Sequence, residues 1–215
     1  MTKITPADIE NLKDWRFEID FEEIAWAIFD REGESMNSLG RRPTEELAAI
    51  IAKVEDAANK GEVRGLILIS GKKNNFIAGA DIREFDSMET DKDVEDAVLA
   101  TIGLFDRIEN LRVPVVAAIH GFCLGGGLEL SMACDYRIAT REEGTRLGFP
   151  EVKLGLFPGL NGTVRSIELA GAMDAMQAML TGRMLRPGHA RAIGLVHLVV
   201  PDDELEARAA DFALR

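Results

Sequence analysis

The sequence predicts an α/β domain built from repeated β-β-α or βαβ crossovers, and three observations predict it. Short apolar, β-branched runs at 66–70 and Val115–Ile119 read as buried strands. The longer stretches 43–61 and 91–112 space their apolar residues three or four apart, as a helix does. Glycine, 20 of 215 residues, is concentrated between Gly121 and Gly162, where strands run into helices. Strands alternating with helices demand crossover connections and hence a largely parallel sheet.

In chain order, Phe17 and Ile19 alternate with charged neighbours, the acidic stretch 20–23 follows, and Ile24–Phe29 is an apolar run. This reads as a two-stranded hairpin. A loop occupies 33–40. Pro43 opens a helix that carries Leu47, Ile50, Ile51, Val54 and Ala58 on its period, and Gly61 stops it. After strand 66–70 comes the turn Gly71-Lys72-Lys73-Asn74-Asn75, then the stretch 76–81, read as a strand end, a glycine and a helix start. Helix 91–112 holds Val94, Val98, Ile102, Phe105 and Ile108 in register; Pro114 ends it, and strand Val115–Ile119 follows. A glycine loop, a short helix and the strand Tyr136–Thr140 come next. From Gly162 the chain reads as helical apart from Leu198–Val200.

One domain is expected over 1–215, with its core at about 15–165 and a helical C-terminal region at about 166–215. The last helix, from Asp203, places Leu205, Ala209, Phe212 and Ala213 on one face and stops at Arg215 without a capping signal. Nothing further in the chain is left to cover that face, which points to a truncated chain; a frayed terminus is the other reading.

Composition narrows the function classes. Hydrophobic residues make up 47% and charged residues 29%, a globular balance rather than a disordered one. Acids outnumber bases 37 to 25 for a formal charge of -12, whereas a duplex-binding surface needs a basic footprint, so no nucleic-acid partner is expected. The first 15 residues carry charges throughout and lack the apolar core of a signal peptide. The longest uncharged run, 113–128, is short, glycine-rich and interrupted by His120, so no membrane span is expected. Cys123 and Cys134 fall in no metal-binding or redox spacing, which argues for a reducing compartment, the cytoplasm. His120, His189 and His197 form no HxxxH pair, so no metal site is expected.

Three stretches carry chemistry. At His120-Gly121-Phe122-Cys123-Leu124-Gly125-Gly126-Gly127-Leu128-Glu129-Leu130 a buried strand runs into a triple glycine and a helix opens directly after it. Such glycines let a ligand approach main-chain N–H groups at a helix start, which is how an oxyanion hole is built from backbone. A dinucleotide fingerprint fails here, because GxGxxG would need a glycine where Leu128 stands. Glu129 falls in the first turn of that helix, where a carboxylate–dipole contact alone would account for an acid. The functional reading rests on Glu151 in Leu147-Gly148-Phe149-Pro150-Glu151, a carboxylate flanked by apolar residues and proline. Two carboxylates facing one cavity can hold a water and divide acid and base roles. The stretch 76–82 repeats the logic of strand end, glycine and helix start, and offers the N–H of Ala80 as a second donor; a βα turn capped by Asp81 is the plainer reading of the same residues.

Taken together, 76–85 (FIAGADIREF), 114–139 (PVVAAIHGFCLGGGLELSMACDYRIA) and 147–165 (LGFPEVKLGLFPGLNGTVR) resemble the enoyl-CoA hydratase/isomerase (crotonase) family, with weaker matches at 35–39 and 180–199. FIAGADI, and CDYRIAT followed by LGFPE, look like the hydratase half of the multifunctional fatty-acid β-oxidation α subunit. The resemblance implies a crotonase-like spiral of β-β-α units and a helical C-terminal region. It implies an enoyl-CoA hydratase acting on trans-2-enoyl-CoA, with Δ3-Δ2 isomerisation or non-catalytic acyl-CoA binding as the alternatives. Carried onto this chain, Ala80 and Gly126 are the oxyanion donors, and Glu129 and Glu151 hold the water. Met36, Asn37, Leu39, Ala78, Asp81 and Ile82 fall in segments that line the CoA site. The polyanionic CoA needs local bases, for which Lys72, Lys73, Arg41, Arg42 and Arg83 are candidates. The CoA thioester is the substrate, with no separate cofactor. The implied partners are a homo-oligomer built on trimers and a 3-hydroxyacyl-CoA dehydrogenase part in a longer chain.

Overall fold

Three times in succession the chain lays down a strand in a large sheet, turns into a shorter strand of a second sheet, and continues into a helix. β3 (Gly65–Ser70), β4 (Asn75–Ile77) and α2 (Asp91–Glu109) form the first of these units. The second is β5 (Val115–Ile119), β6 (Phe122–Leu124) and α3 (Gly126–Met132), and the third is β7 (Tyr136–Thr140), β8 (Arg146–Gly148) and α4 (Gly162–Thr181). They are preceded by β1 (Trp15–Ile19), β2 (Ile24–Phe29) and α1 (Arg41–Lys60), and followed by α5 (Pro187–Ala192), β9 (Leu198–Val200) and α6 (Leu205–Ala213). The structure is a computed structural model that describes residues 9–87 and 90–215.

The large sheet runs β1-β2-β3-β5-β7-β9 and the small one β4-β6-β8. Only β1 is antiparallel, paired with β2 in the predicted hairpin; every other pairing in both sheets is parallel. Alternation along a strand sends successive side chains to opposite faces. Leu66 and Leu68 therefore enter the main core with Val115 and Ala117, while Ile67 and Ile69 face a second core with Val116 and Ala118. That second core explains why β3 reads as a continuous apolar run: both faces of the sheet are covered.

The cover on the second face is α6. Its Leu205, Ala209 and Ala213 are buried against β3, β5 and β7, and a Cβ on Gly65 would meet the Ala213 carbonyl at 2.3 Å. The expectation that the apolar face of the last helix has nothing to cover is thereby overturned, because the outer face of the sheet covers it. This helix starts at Leu205, two residues later than expected, after a 3-10 turn at Asp202–Glu204. Helix α2 ends at Glu109 rather than 112, where Asn110 at the C-cap donates its side-chain Nδ2 to the Asp106 carbonyl at 2.7 Å. At its other end Thr90 and Asp93 form a capping box.

The strands β6 and β8 had no counterpart in the sequence reading. Each is three residues long, too short to display a period. Both thiols, of Cys123 and Cys134, are fully enclosed, and burial pushes them up to about 12. Among the described residues no helix is long and apolar enough to cross a membrane.

Candidate active site

The small parallel sheet gathers the predicted site. Its three strands point the same way, so their C-terminal ends and the loops that follow reach one edge, the usual place for a ligand in a parallel sheet. Ala80 follows the end of β4 at Ile77, Gly126 follows the end of β6 at Leu124, and Glu151 follows the end of β8 at Gly148.

Two N–H groups are left over at this edge. Leu39 and Ala80 form a parallel bridge in which Leu39 N donates to the Gly79 carbonyl at 2.8 Å and Asp81 N donates to the Leu39 carbonyl at 2.6 Å. In that geometry the N–H of Ala80 itself faces away from Leu39. A Cβ on Gly126 would lie 3.9 Å from Ala80 N, between the Leu39 and Leu160 side chains. As the first residue of α3, Gly126 has no acceptor within the helix. Among the described residues no acceptor faces either N–H. Gly125 makes this turn possible: at φ 50°, ψ -126° it adopts a conformation foreign to L side chains, and a Cβ there would lie 2.7 Å from Glu151 Oε1.

Glu129 sits one helical turn further along α3 and is only 2% exposed. Its Oε1 accepts hydrogen bonds from Leu160 N at 2.7 Å and Gly162 N at 2.9 Å. Burial pushes its pKa up to about 7; the two N–H bonds and Arg165 pull it back, and the charge of Glu151 pushes it further up. Glu151 opens the 3-10 turn Glu151–Leu154. Burial also raises its pKa, and its Oε2 is enclosed and, among the described residues, has no hydrogen-bond partner. A buried carboxylate oxygen left unpaired needs an explanation, and a water between the two acids would supply one.

The expected CoA-side residues divide. Met36 and Ile82 are exposed, Ala78 is half-buried, and Leu39 packs against the Gly126 turn. Asn37 is a brace: its side chain accepts from Arg31 N and donates to Phe29 O, Ser70 Oγ and Phe76 O. Its main-chain N–H donates to Asn75 Oδ1 and its carbonyl accepts from Ala78 N. Asp81 is buried between the guanidinium groups of Arg31 and Arg83, which hold its carboxyl well below the usual range. Four of the five candidate bases are likewise engaged. Lys72 pairs with Asp30, Arg41 with Glu45, Arg42 with Asp14, and Arg83 with Glu34 and Asp81. Lys73 is exposed, and among the described residues no acid pairs with it.

The sequence reading gave no role to Leu160, Asn161, Gly162 or Arg165, the residues that hold Glu129 in place. The only local signal was the Asn-Gly pair at 161–162, a turn marker.

Comparison with known proteins follows the same lines. The Enoyl-CoA hydratase/isomerase family model matches residues 23–215. Among curated proteins, the fatty acid oxidation complex subunit alpha of Aliivibrio fischeri is 43% identical over 196 residues, 91% of this chain. The protein of the same name from Idiomarina loihiensis is 45% identical over 203 residues, 94% of this chain. The chain spans 28% of the length of each of these relatives. Among solved structures, an enoyl-CoA hydratase from Bacillus anthracis superposes with a TM-score of 0.85 at 35% identity, covering 94% of this chain and 75% of that one. One from Geobacillus kaustophilus gives a TM-score of 0.86 at 28% identity, covering 94% and 73%.

Proposed function

The chain belongs to the enoyl-CoA hydratase/isomerase family, and on that premise we propose that it adds water to trans-2-enoyl-CoA thioesters in fatty-acid β-oxidation. One observation carries the reading: two main-chain N–H groups, of Ala80 and Gly126, unpaired among the described residues, stand beside two carboxyls, Glu129 and Glu151, whose pKa burial raises. The curated relatives, named for fatty acid oxidation, support the pathway.

The chemistry follows from the donors. The thioester oxygen accepts from both N–H groups, which draws electron density out of the conjugated double bond and stabilises the enolate that forms. Water held between the carboxyls adds its oxygen to C3. One glutamate, ionised, takes a proton from that water as the C–O bond forms; the other, protonated, gives its proton to C2. The pair ends with the proton on the opposite partner, and exchange with solvent resets it. Glu129 works through Oε2, because its Oε1 already accepts two main-chain N–H bonds.

The CoA thioester enters as substrate, and no separate cofactor is part of this reading. The exposed Met36 and Ile82, with the main chain around Leu39 and Ala78, would border its CoA end, with Lys73 the base open to a phosphate. The proposal extends to a cytoplasmic, trimer-based assembly and a 3-hydroxyacyl-CoA dehydrogenase part in a longer chain, as the length of the curated relatives suggests.

The test is loss of the enoyl-thioester absorbance with short-, medium- and long-chain trans-2-enoyl-CoA, run beside the Glu129→Gln and Glu151→Gln variants. Hydration that each variant abolishes supports the reading. A protein that binds the thioester without hydrating it, or a variant that keeps near-full rate, overturns it.

A further inference from the structure

Arg165 stands in the first turn of α4 and is only 5% exposed. Its Nη2 donates to Asp106 Oδ1 at 2.9 Å and to Glu109 Oε2 at 2.8 Å, both near the end of α2. Its Nη1 donates to the Leu160 carbonyl at 3.2 Å, and its main-chain N–H donates to the Asn161 carbonyl at 3.0 Å. Its Nε is buried and, among the described residues, has no acceptor. One residue thus grips the carbonyls of both Leu160 and Asn161 while α2 holds its far end.

Those carbonyls belong to the loop whose N–H groups hold Glu129. Leu160 N and Gly162 N converge on Glu129 Oε1 only because Asn161 between them is left-handed, at φ 66°. Asparagine tolerates that region better than most residues, yet it does so as a single residue held by its surroundings. We propose that Arg165 is a positioning residue for Glu129: it clamps the 160–162 loop that fixes the carboxylate and sets a positive charge behind it. This rests on the reading of Glu129 as an acid–base group.

The charged groups around the pair all follow from the packing. Glu129 is faced by Glu151 from the 3-10 turn and by Arg165 from α4, with the Leu160 and Gly162 N–H groups in contact. Arg165 is faced by Asp106 and Glu109 from α2. Loss of Arg165 removes a cation and loosens two N–H donors, and both changes disfavour the ionised carboxylate. The titration of Glu129 must then move to higher pH. A merely structural ion pair between α2 and α4 would lower the melting temperature and leave that titration where it was.

The experiment is a carbon NMR titration of the glutamate carboxyls, with the Glu129 resonance assigned by its absence in Glu129→Gln. It needs no turnover, so it stands apart from the assay of the hydratase reading. In Arg165→Met the Glu129 midpoint is expected to rise, and hydration is expected to fall about a hundredfold with little change in KM, as for a misplaced catalytic group. Arg165→Lys keeps the charge but is shorter and lacks the planar fork, so it cannot reach both carboxylates and the Leu160 carbonyl at once, and its midpoint is expected to lie between the two. It carries the test if Arg165→Met does not fold. An unchanged Glu129 midpoint in either folded variant overturns the proposal.

Discussion

Gly162 donates its N–H to the Glu129 carboxylate at 2.9 Å, and a Cβ on that same glycine would lie 2.5 Å from Glu129 Cγ. The two residues share one volume: the glycine can serve as donor only because it has no side chain. No ordinary van der Waals contact survives at that distance, and the atom met is Cγ, near the backbone of Glu129, rather than the flexible end of a side chain. Gly162→Ala is therefore expected to fold, since alanine suits a helix start, but to displace Glu129. Hydration should drop about a hundredfold, the scale on which a misplaced acid–base group fails. The check is kcat alongside far-ultraviolet circular dichroism; a folded variant with wild-type kcat would show that Glu129 need not occupy its present position.

Burying Glu129 has a cost in stability, and the cost depends on pH. The native pKa is raised from the ordinary 4.5 to about 7 by burial, so between those values the folded protein holds a proton that the unfolded chain has released. Stability that comes with a raised pKa is lost as pH rises through the window, and above about 7 the full penalty applies. Glutamine keeps an acceptor for the Leu160 and Gly162 N–H groups and carries no charge. Glu129→Gln is expected to match the wild type near pH 4.5 and to exceed its stability by up to about 3 kcal/mol at pH 8. Urea unfolding at both pH values measures this, and equal stability at pH 8 would mean that the carboxylate is solvated rather than buried.

The donor pair can be probed without touching either acid. Gly126 is the first residue of α3, a position where proline is otherwise accepted, so Gly126→Pro removes one N–H without removing a hydrogen bond of the helix. The nearest obstacles are the flexible ends of Leu39 and Leu160, at 3.3 and 3.4 Å from a Cβ. Losing one oxyanion donor typically costs about 2.7–4 kcal/mol in the transition state, so kcat is expected to fall a hundred- to a thousandfold. Thioester affinity should change much less, and an equal loss in both would assign the N–H to binding rather than to catalysis.

Some of this architecture was legible in the sequence and some was not, for physical reasons. Strands β3 and β5 are five or six residues of near-continuous apolar character, long enough to announce burial on both faces. β6 and β8 are too short to show any pattern, so of the second sheet only the end of β4 is legible, although it is the sheet that brings Ala80, Gly126 and Glu151 together. The acids and the glycine turn stood out because their chemistry resides in side chains and in glycine itself. The grip on Glu129 did not, because its donors are main-chain N–H groups more than thirty residues away in the chain, and any residue type carries such a donor.

The role of α6 shows how a signal can be present and still be misread. Every residue of β3 from Gly65 to Ser70 is buried, which requires cover on both sides of the sheet, and the apolar face of α6 supplies the cover on the outer side. Leu205 is 3% exposed in that outer core, with Ile67, Val116 and Ile138 among its members. Leu205→Ala is expected to lower stability by about 2–5 kcal/mol through lost burial and the cavity left behind. The acids and N–H donors lie along the small sheet, whose buried strand residues Ile77, Cys123 and Leu147 belong to the other core. The variant should therefore hydrate at the wild-type rate at any temperature where it remains folded. Thermal unfolding and kcat measured on the same preparation separate the two effects. A lowered melting temperature with unchanged kcat would establish α6 as a structural cover, whereas a loss of kcat below the transition would mean that the outer core and the site are coupled through the sheet.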